Sequence, residues 1–313
     1  MTSTDLFWMA PLHGITDHVF RTLYTQHIAT LDFAIAPFVS ITSGIKEKTE
    51  RFLDFFPENN KLLPIEPQIM AKKAEQLLLA SSKLKEIGYP CFNWNMGCPS
   101  NQVTKHGRGA GMLKDIPNMN SILDEFFSKS DANLSVKIRL GFNDTKNLEA
   151  IIETLNKYPL KYVCIHPRLA SQMYDGTVML NTFDMVVREL KHTIVYSGDI
   201  ANDVFFKQLK ARYPQIHNWM IGRGLLSKLN LMHEINPQNP EINIHKFLVF
   251  YENLKNAQLE RFKDEKIAIG RLKELWSYFV QNDILKEIPT QQILRCQSMK
   301  EMDQIISTSI IGE

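Results

Sequence analysis

The chain predicts an α/β fold: a (β/α)8 TIM barrel followed by a small C-terminal all-helical domain. Three observations carry this expectation. Short apolar, β-branched or aromatic runs recur eight times in the first three quarters of the 313 residues. The gaps between them mostly leave room for one helix and two loops, the alternation of parallel strands with helical crossovers. After "SKLNLMHEINPQNPE" the strand rhythm stops and amphipathic helices take over. A doubly wound sheet shares the same periodicity, but a count of eight fits a barrel of this length.

The runs are "LFWMAPL" from 6, "FAIAPFV" from 33, "LPIEPQIM" from 63, "CFNWNMG" from 91, "LSVKIRL" from 134, "YVCIHPR" from 162, "TIVYSGD" from 193 and "NWMIGRG" from 218. Between the third and fourth, "AKKAEQLLLASSKLKEIG" has the helical period, with Ala74, Leu77, Ala80 or Ser81, Leu84 and Ile87 on one face. The stretch around Pro237 and Pro240 reads as a linker. The expected division is therefore a barrel over 1–236 and a helical domain over 241–313. Residues 246–273 carry seven Lys or Arg against four acids, which for an isolated helix describes a solvated face.

Polar residues gather toward the C-terminal ends of the runs: Gln68, Asn95, Lys137 with Arg139, His166 with Arg168, Asp199 and Arg223. One such residue is an ordinary strand terminus meeting water. Repetition in nearly every strand points to one face of a barrel, where active sites form. Cys98 stands apart from the other cysteines. It lies between Gly97 and Pro99 just past a strand end, whereas Cys91 and Cys164 sit inside apolar runs. Loops at strand ends carry chemistry, so Cys98 is the candidate reactive group.

A 44% hydrophobic content suffices for a large core, and a net charge of +2 is too small to name a polyanionic partner. The four cysteines form no Cys-x-x-Cys pair, so free thiols and no metal site are expected. No apolar run approaches membrane-spanning length and "MTSTDLFWMAPLHG" lacks a basic n-region, so the expectation is a cytoplasmic, non-membrane protein.

"APLHGITDHVFR" at 10–21, "NMGCPSNQVTKHGRGAGML" at 95–113, "VKIRLG" at 136, "IHPR" at 165 and "IGRG" at 221 resemble, in order and spacing, the signatures of the tRNA-dihydrouridine synthases. These are flavoenzymes that reduce a uridine in tRNA. "GRLKELWSYF" at 270–279 is similar to the helical tail of the bacterial subgroup that modifies position 16. The chain departs from the family pattern at Leu12 and His13, at Pro37, at Ser40 where that subgroup has an arginine, at Arg108 and at Ser197.

The resemblance implies FMN as cofactor, NADPH as reductant, tRNA as substrate and a monomer. It assigns proton donation to Cys98. That acid must be protonated at rest, which a thiol of ordinary pKa satisfies at roughly 97% at pH 7. It implies flavin contacts from Ala10, Pro11, Leu12, Gln68, Lys137 and His166. A phosphate site is expected from Ser197, Gly198, Asp199, Gly222 and Arg223, as barrels often place one there. Asn95 and Arg139 are expected on the substrate side, and Arg271, Lys273 and Tyr278 against the RNA. Two other readings remain open from sequence: a flavin barrel acting on a free pyrimidine, and an RNA-binding homologue without catalysis.

Overall fold

The computed structural model describes residues 4–41 and 49–311. The eight runs form eight barrel strands: β1 (Leu6–Met9), β2 (Phe33–Ile35, resuming at Val39–Ser40), β3 (Ile65–Glu66 and Gln68–Met70), β4 (Cys91–Met96), β5 (Asn133–Gly141), β6 (Val163–Leu169), β7 (Ile194–Tyr196) and β8 (Asn218–Ile221). Every pairing is parallel and neighbours in sequence are neighbours in the sheet. The sheet closes because β1 pairs with β8, from Leu6 opposite Asn218 to Met9 opposite Ile221, as well as with β2. β2 and β3 are split around Pro37 and Pro67, whose nitrogens cannot donate to a ladder.

Six helices follow strands around the outside: α1 (His18–His27), α2 (Ala74–Glu86), α3 (Ile116–Lys129), α4 (Leu148–Leu155), α5 (Leu180–Glu189) and α6 (Asp203–Arg212), with a short α7 (Arg223–Ser227) after β8. Their starts are written locally: Asp17, Asp115 and Asn202 each accept a first-turn amide, from Phe20, Asn118 and Phe205. α2 buries Ala74, Leu77, Ala80, Ser81 and Leu84, the face its periodicity predicts. The exception to the alternation lies between β2 and β3. There the described residues form 3₁₀ turns at Thr49–Phe55 and Pro57–Asn59 in place of an α-helix.

Strand alternation divides the side chains between the helix layer and the barrel interior. Toward β1, β2 and β6 to β8 the interior is apolar, built from Trp8, Ile35, Tyr162, Cys164, Val195 and Met220. Toward β3, β4 and β5 it is polar, with Glu66, Gln68, Asn93, Asn95 and Ser135 all buried.

Four helices follow the barrel: α8 (Ile244–Phe262), α9 (Glu265–Phe279), α10 (Thr290–Arg295) and α11 (Met299–Ile311). Trp276 is fully buried among aromatic rings, 5.8 Å from Phe247 and 5.5 Å from Tyr251. The helices share one apolar core with the barrel: Phe250 of α8 meets Phe20 of α1 edge-on at 6.0 Å. The stretch predicted as a linker is tied down, because buried Asn239 accepts the Thr30 amide at 2.7 Å. Asn282 makes a second tie, accepting the Leu229 amide and donating to the Leu226 carbonyl at 2.9 Å and the Phe279 carbonyl at 3.0 Å.

Deleting the Asn282 amide leaves buried backbone groups unpaired, at about 1–3 kcal/mol. Asn282→Ala is therefore expected to lower unfolding stability by about that amount in urea titration. A change below about 0.5 kcal/mol would mean that this junction contributes nothing to stability.

Candidate active site

The C-terminal ends of the strands open into a cleft of about 870 Å³, walled on one side by Glu274, Ser277, Tyr278 and Gln281 of α9 and the turn after it. The structure brings together on its lining Ala10, Pro11, Leu12, Asn95, Cys98, Lys137, Arg139, His166, Ser197, Gly198, Asp199, Gly222, Arg223 and Tyr278. Gln68, Arg271 and Lys273 are not on it.

Cys98 is half-buried on the loop after β4. Asn95 Oδ1 accepts the amides of Gly97 at 3.1 Å and Cys98 at 2.9 Å, folding the loop back on its own strand. Arg139, 1% exposed, donates from Nε to the Gly97 carbonyl at 3.0 Å and from Nη1 to the Leu169 carbonyl at 2.7 Å. The glycine-rich tail closes the loop from the other side. The Ala110 amide donates to the Cys98 carbonyl at 3.0 Å. Gly109 has φ +54°, and a Cβ there would stand 2.7 Å from that carbonyl. Burial pushes the Cys98 thiol above its ordinary pKa, outweighing the Ser100 amide hydrogen bond and the nearby Arg139 and Lys137 charges, which act the other way.

Ladder register sets the cations beside it. Lys137 pairs with Asn95 on one side and Cys164 on the other, and Arg139 pairs with His166. Burial above all, with the Arg139 charge adding to it, lowers the Lys137 pKa. Among the described residues no hydrogen bond or ion pair reaches its ammonium. Burial with the surrounding cations holds His166 well below the usual histidine range, so its ring is neutral. Arg168 Nη1 lies 3.1 Å from His166 Nε2. A guanidinium only donates, so Nε2 accepts and the proton sits on Nδ1. Arg168, 2% exposed, also binds Asp199 Oδ1 at 2.7 Å. Asp199 in turn holds Arg223 at 3.2 Å.

Some residues predicted for the site stand elsewhere. Gln68 is fully buried below the cleft, its amide spent on Asn93 at 2.8 Å and Asn95 at 2.8 Å. Lys273 points into the helical bundle and donates to the Cys296 carbonyl. Arg271 packs on the β1 loop beside Gly14, where an added Cβ would meet its Nη1 at 2.7 Å, and pairs with Glu274 at 3.0 Å. Asn95 lines the cleft, but its amide is engaged in shaping the Cys98 loop.

Two aromatic contacts were not anticipated from the sequence, which marked His13 only as a departure from the family pattern and Tyr174 not at all. Tyr174 rises from the loop after β6 with Arg139 at 5.4 Å and Arg223 at 5.0 Å from its ring centroid. His13 stacks on Phe38 at 4.7 Å and 13° at the cleft wall. Neither lies at a strand's polar end, the signal that picked out Lys137, Arg139, His166 and Arg223. Arg168 did show that signal.

A model of one family, described as "Dihydrouridine synthase (Dus)", matches residues 8–307. The chain belongs to the dihydrouridine synthase family. Relatives include a "Probable tRNA-dihydrouridine synthase" from Helicobacter pylori (strain J99 / ATCC 700824), 29% identical over 70% of this chain and 66% of that protein. A "tRNA-dihydrouridine synthase B" from Pseudomonas putida is 25% identical over 87% of this chain and 76% of that one. The chain thus spans just under two thirds of the Helicobacter relative. Among solved structures, a mutant morphinone reductase in complex with tetrahydroNAD shares the fold, with a TM-score of 0.53 and 9% identity over 77% of this chain and 90% of that one. Among the described residues no helix is long and apolar enough to cross a membrane, and no cluster of three metal-ligating side chains occurs.

In this member of the dihydrouridine synthase family burial disfavours the thiolate form of Cys98. Alkylation of Cys98, followed by peptide mass spectrometry across pH, is expected to show an apparent pKa above that of a free thiol, because burial disfavours the thiolate. A pKa below the free-thiol value would mean that the Lys137 and Arg139 charges dominate.

Proposed function

We propose that this chain is an FMN-dependent, NADPH-driven enzyme that reduces the C5=C6 bond of uridine to dihydrouridine in the D-loop of tRNA, at position 16. One observation carries the reading: a thiol kept protonated by burial sits on a braced loop in the same cleft as an ammonium that, among the described residues, has no partner. Family membership supports it.

The unpartnered Lys137 fits the electron-rich edge of a flavin ring, and the His166 Nδ1 proton offers a second donor. Ala10, Pro11 and Leu12 would flank the ring, while Ser197, Gly198, Gly222 and Arg223 would hold its phosphate with Asp199 orienting Arg223. FMN, when bound, supplies the hydride for C6. The protein's own task is the proton for C5, delivered from Cys98 Sγ. The Arg139 and Lys137 charges ease formation of the thiolate left behind. The oriented acid is expected to contribute about 10²–10⁴ in rate.

A uridine must leave its stack to reach this depth, at a cost of a few kcal/mol that is smallest in an unpaired loop. We assign 1–236 to catalysis and 241–313 to docking of the folded RNA, acting as a monomer in the cytoplasm. Tyr278 lines the cleft and Arg271 pairs with Glu274, which lines it too, so these two retain the RNA role. Lys273 drops out because its ammonium is committed to a carbonyl. The position-16 reading rests on the likeness of "RLKELWSY" to that subgroup.

Cys98→Ala is expected to keep FMN and its reduction by NADPH while losing uridine reduction by about 10²–10⁴. Wild-type turnover by the variant would make Cys98 structural. Mapping dihydrouridine in tRNA from cells lacking the protein tests the position: loss at 20 with 16 untouched refutes the position and leaves the activity standing. Arg271→Glu is expected to weaken tRNA reduction more than Lys273→Glu does, with NADPH oxidation by the flavoprotein unchanged in both. Equal effects would return Lys273 to the RNA surface.

A further inference from the structure

The polar side of the barrel interior contains one continuous file of hydrogen bonds, and its direction is the same at every link. At the top, Asn95 Oδ1 accepts the Gly97 and Cys98 amides at 3.1 and 2.9 Å. Asn95 Nδ2 donates to Gln68 Oε1 at 2.8 Å, and Gln68 Nε2 donates to Asn93 Oδ1 at 2.8 Å. Asn93 Nδ2 donates to Ser135 Oγ at 2.7 Å. The Ser135 hydroxyl donates to Glu66 Oε1. Ladder register makes this possible, since Gln68 stands opposite Asn93 and Asn93 opposite Ser135 across three neighbouring strands.

Both ends of the file demand the same polarity. Backbone N–H groups only donate, so Asn95 must turn its oxygen toward Cys98 and its nitrogen toward Gln68. A carboxylate only accepts, so Ser135 must turn its proton toward Glu66. Each amide between has one orientation that serves both neighbours. Glu66 is 0% exposed and receives further donors, among them the Lys161 ammonium at 3.0 Å and the Tyr162 hydroxyl at 2.9 Å. Its place is therefore secured from the side of the barrel opposite the cleft.

We propose that Glu66 and Ser135 are positioning residues for Cys98: the buried carboxylate sets the direction of the Ser135–Asn93–Gln68–Asn95 file, and the file fixes the loop that carries the thiol. None of Glu66, Ser135 and Asn93 lines the cleft, so they act only through the residues above them. A glutamine at 66 both donates and accepts, which removes the constraint at the lower end. The polarity is then held only from the top, by the Gly97 and Cys98 amides, and the file gains a second orientation in which Asn95 Nδ2 faces the Cys98 amide and the brace is lost. Displacement of a reacting group by about 1 Å is enough to cost on the order of 10² in rate.

The proposal rests on Cys98 being the proton donor, and the test separates the two. The variants are Glu66→Gln and, because a change at a buried carboxylate risks the fold, Ser135→Ala, which leaves the Glu66–Lys161 pair in place. Lys161 is 42% exposed on its side chain, so losing its partner in Glu66→Gln leaves it solvated. Tyr162→Phe is the control: its hydroxyl touches Glu66 and Ser135 but is no link in the file, so its loss leaves every donor and acceptor between Glu66 and Asn95 in place. Single-turnover reduction of tRNA is measured from enzyme whose flavin has been reduced by NADPH. In Glu66→Gln and Ser135→Ala the maximal uridine rate is expected to fall by about 10-fold or more, while the half-saturating tRNA concentration and the rate of flavin reduction stay within about twofold. Tyr162→Phe is expected to keep all three near wild type. A folded, flavin-loaded Glu66→Gln or Ser135→Ala with a wild-type uridine rate overturns the proposal. So does an equal fall in flavin reduction, which would indicate general damage. If Cys98→Ala itself reduces uridine normally, the reading of Cys98 fails first, whatever the file does.

Discussion

Closure of the sheet through the β1–β8 ladder is the constraint on which the rest of the molecule depends. A closed parallel barrel leaves no edge, and all its C-terminal strand ends converge on one rim. It also gives each strand an inward row whose members face one another at fixed heights. Cys98, Lys137, Arg139, His166 and Arg223 come from four different strand ends, yet they meet in one cleft because the ring is closed. The helical segment then completes the cleft. α9 contributes Glu274 and Tyr278 to the wall, and Arg271 reaches the β1 loop at a glycine that leaves room for it.

Within that frame most of the cations near Cys98 are committed to other partners. Arg139 spends its donors on two carbonyls, and Arg168 and Arg223 converge on Asp199. Of these four cations, Lys137 is the one left without a partner among the described residues. At Cys98 burial outweighs the Arg139 and Lys137 charges and disfavours the thiolate. The arrangement is the reverse of a nucleophilic cysteine site, where a neighbouring cation is placed to stabilise the thiolate. The glycine cluster after Cys98, which in isolation looks suited to cradling a phosphate, closes the loop over the Cys98 carbonyl instead.

The fold and the gathering of polar strand ends at one cleft were legible in the sequence because both follow from local pattern. Eight apolar runs became eight strands, the period of 74–87 became a buried helix face, and polar strand ends became the rim. Cys98 was marked by its place between Gly97 and Pro99, and Lys137, with Arg139, by its place toward the C-terminal end of a strand. What tertiary structure alone decided was where each polar atom is spent. Gln68 follows the strand-end pattern, but Asn93 and Asn95, some 25 and 27 residues away, claim its amide across the ladder. Lys273 lies two residues from Arg271, yet on a helix that spacing turns it away from the cleft and onto the Cys296 carbonyl. Tyr174 enters from a loop with no periodicity to announce it. Hydrophobic periodicity is written in neighbouring residues, whereas hydrogen-bond partnership is settled by which groups the closed barrel brings within about 3 Å.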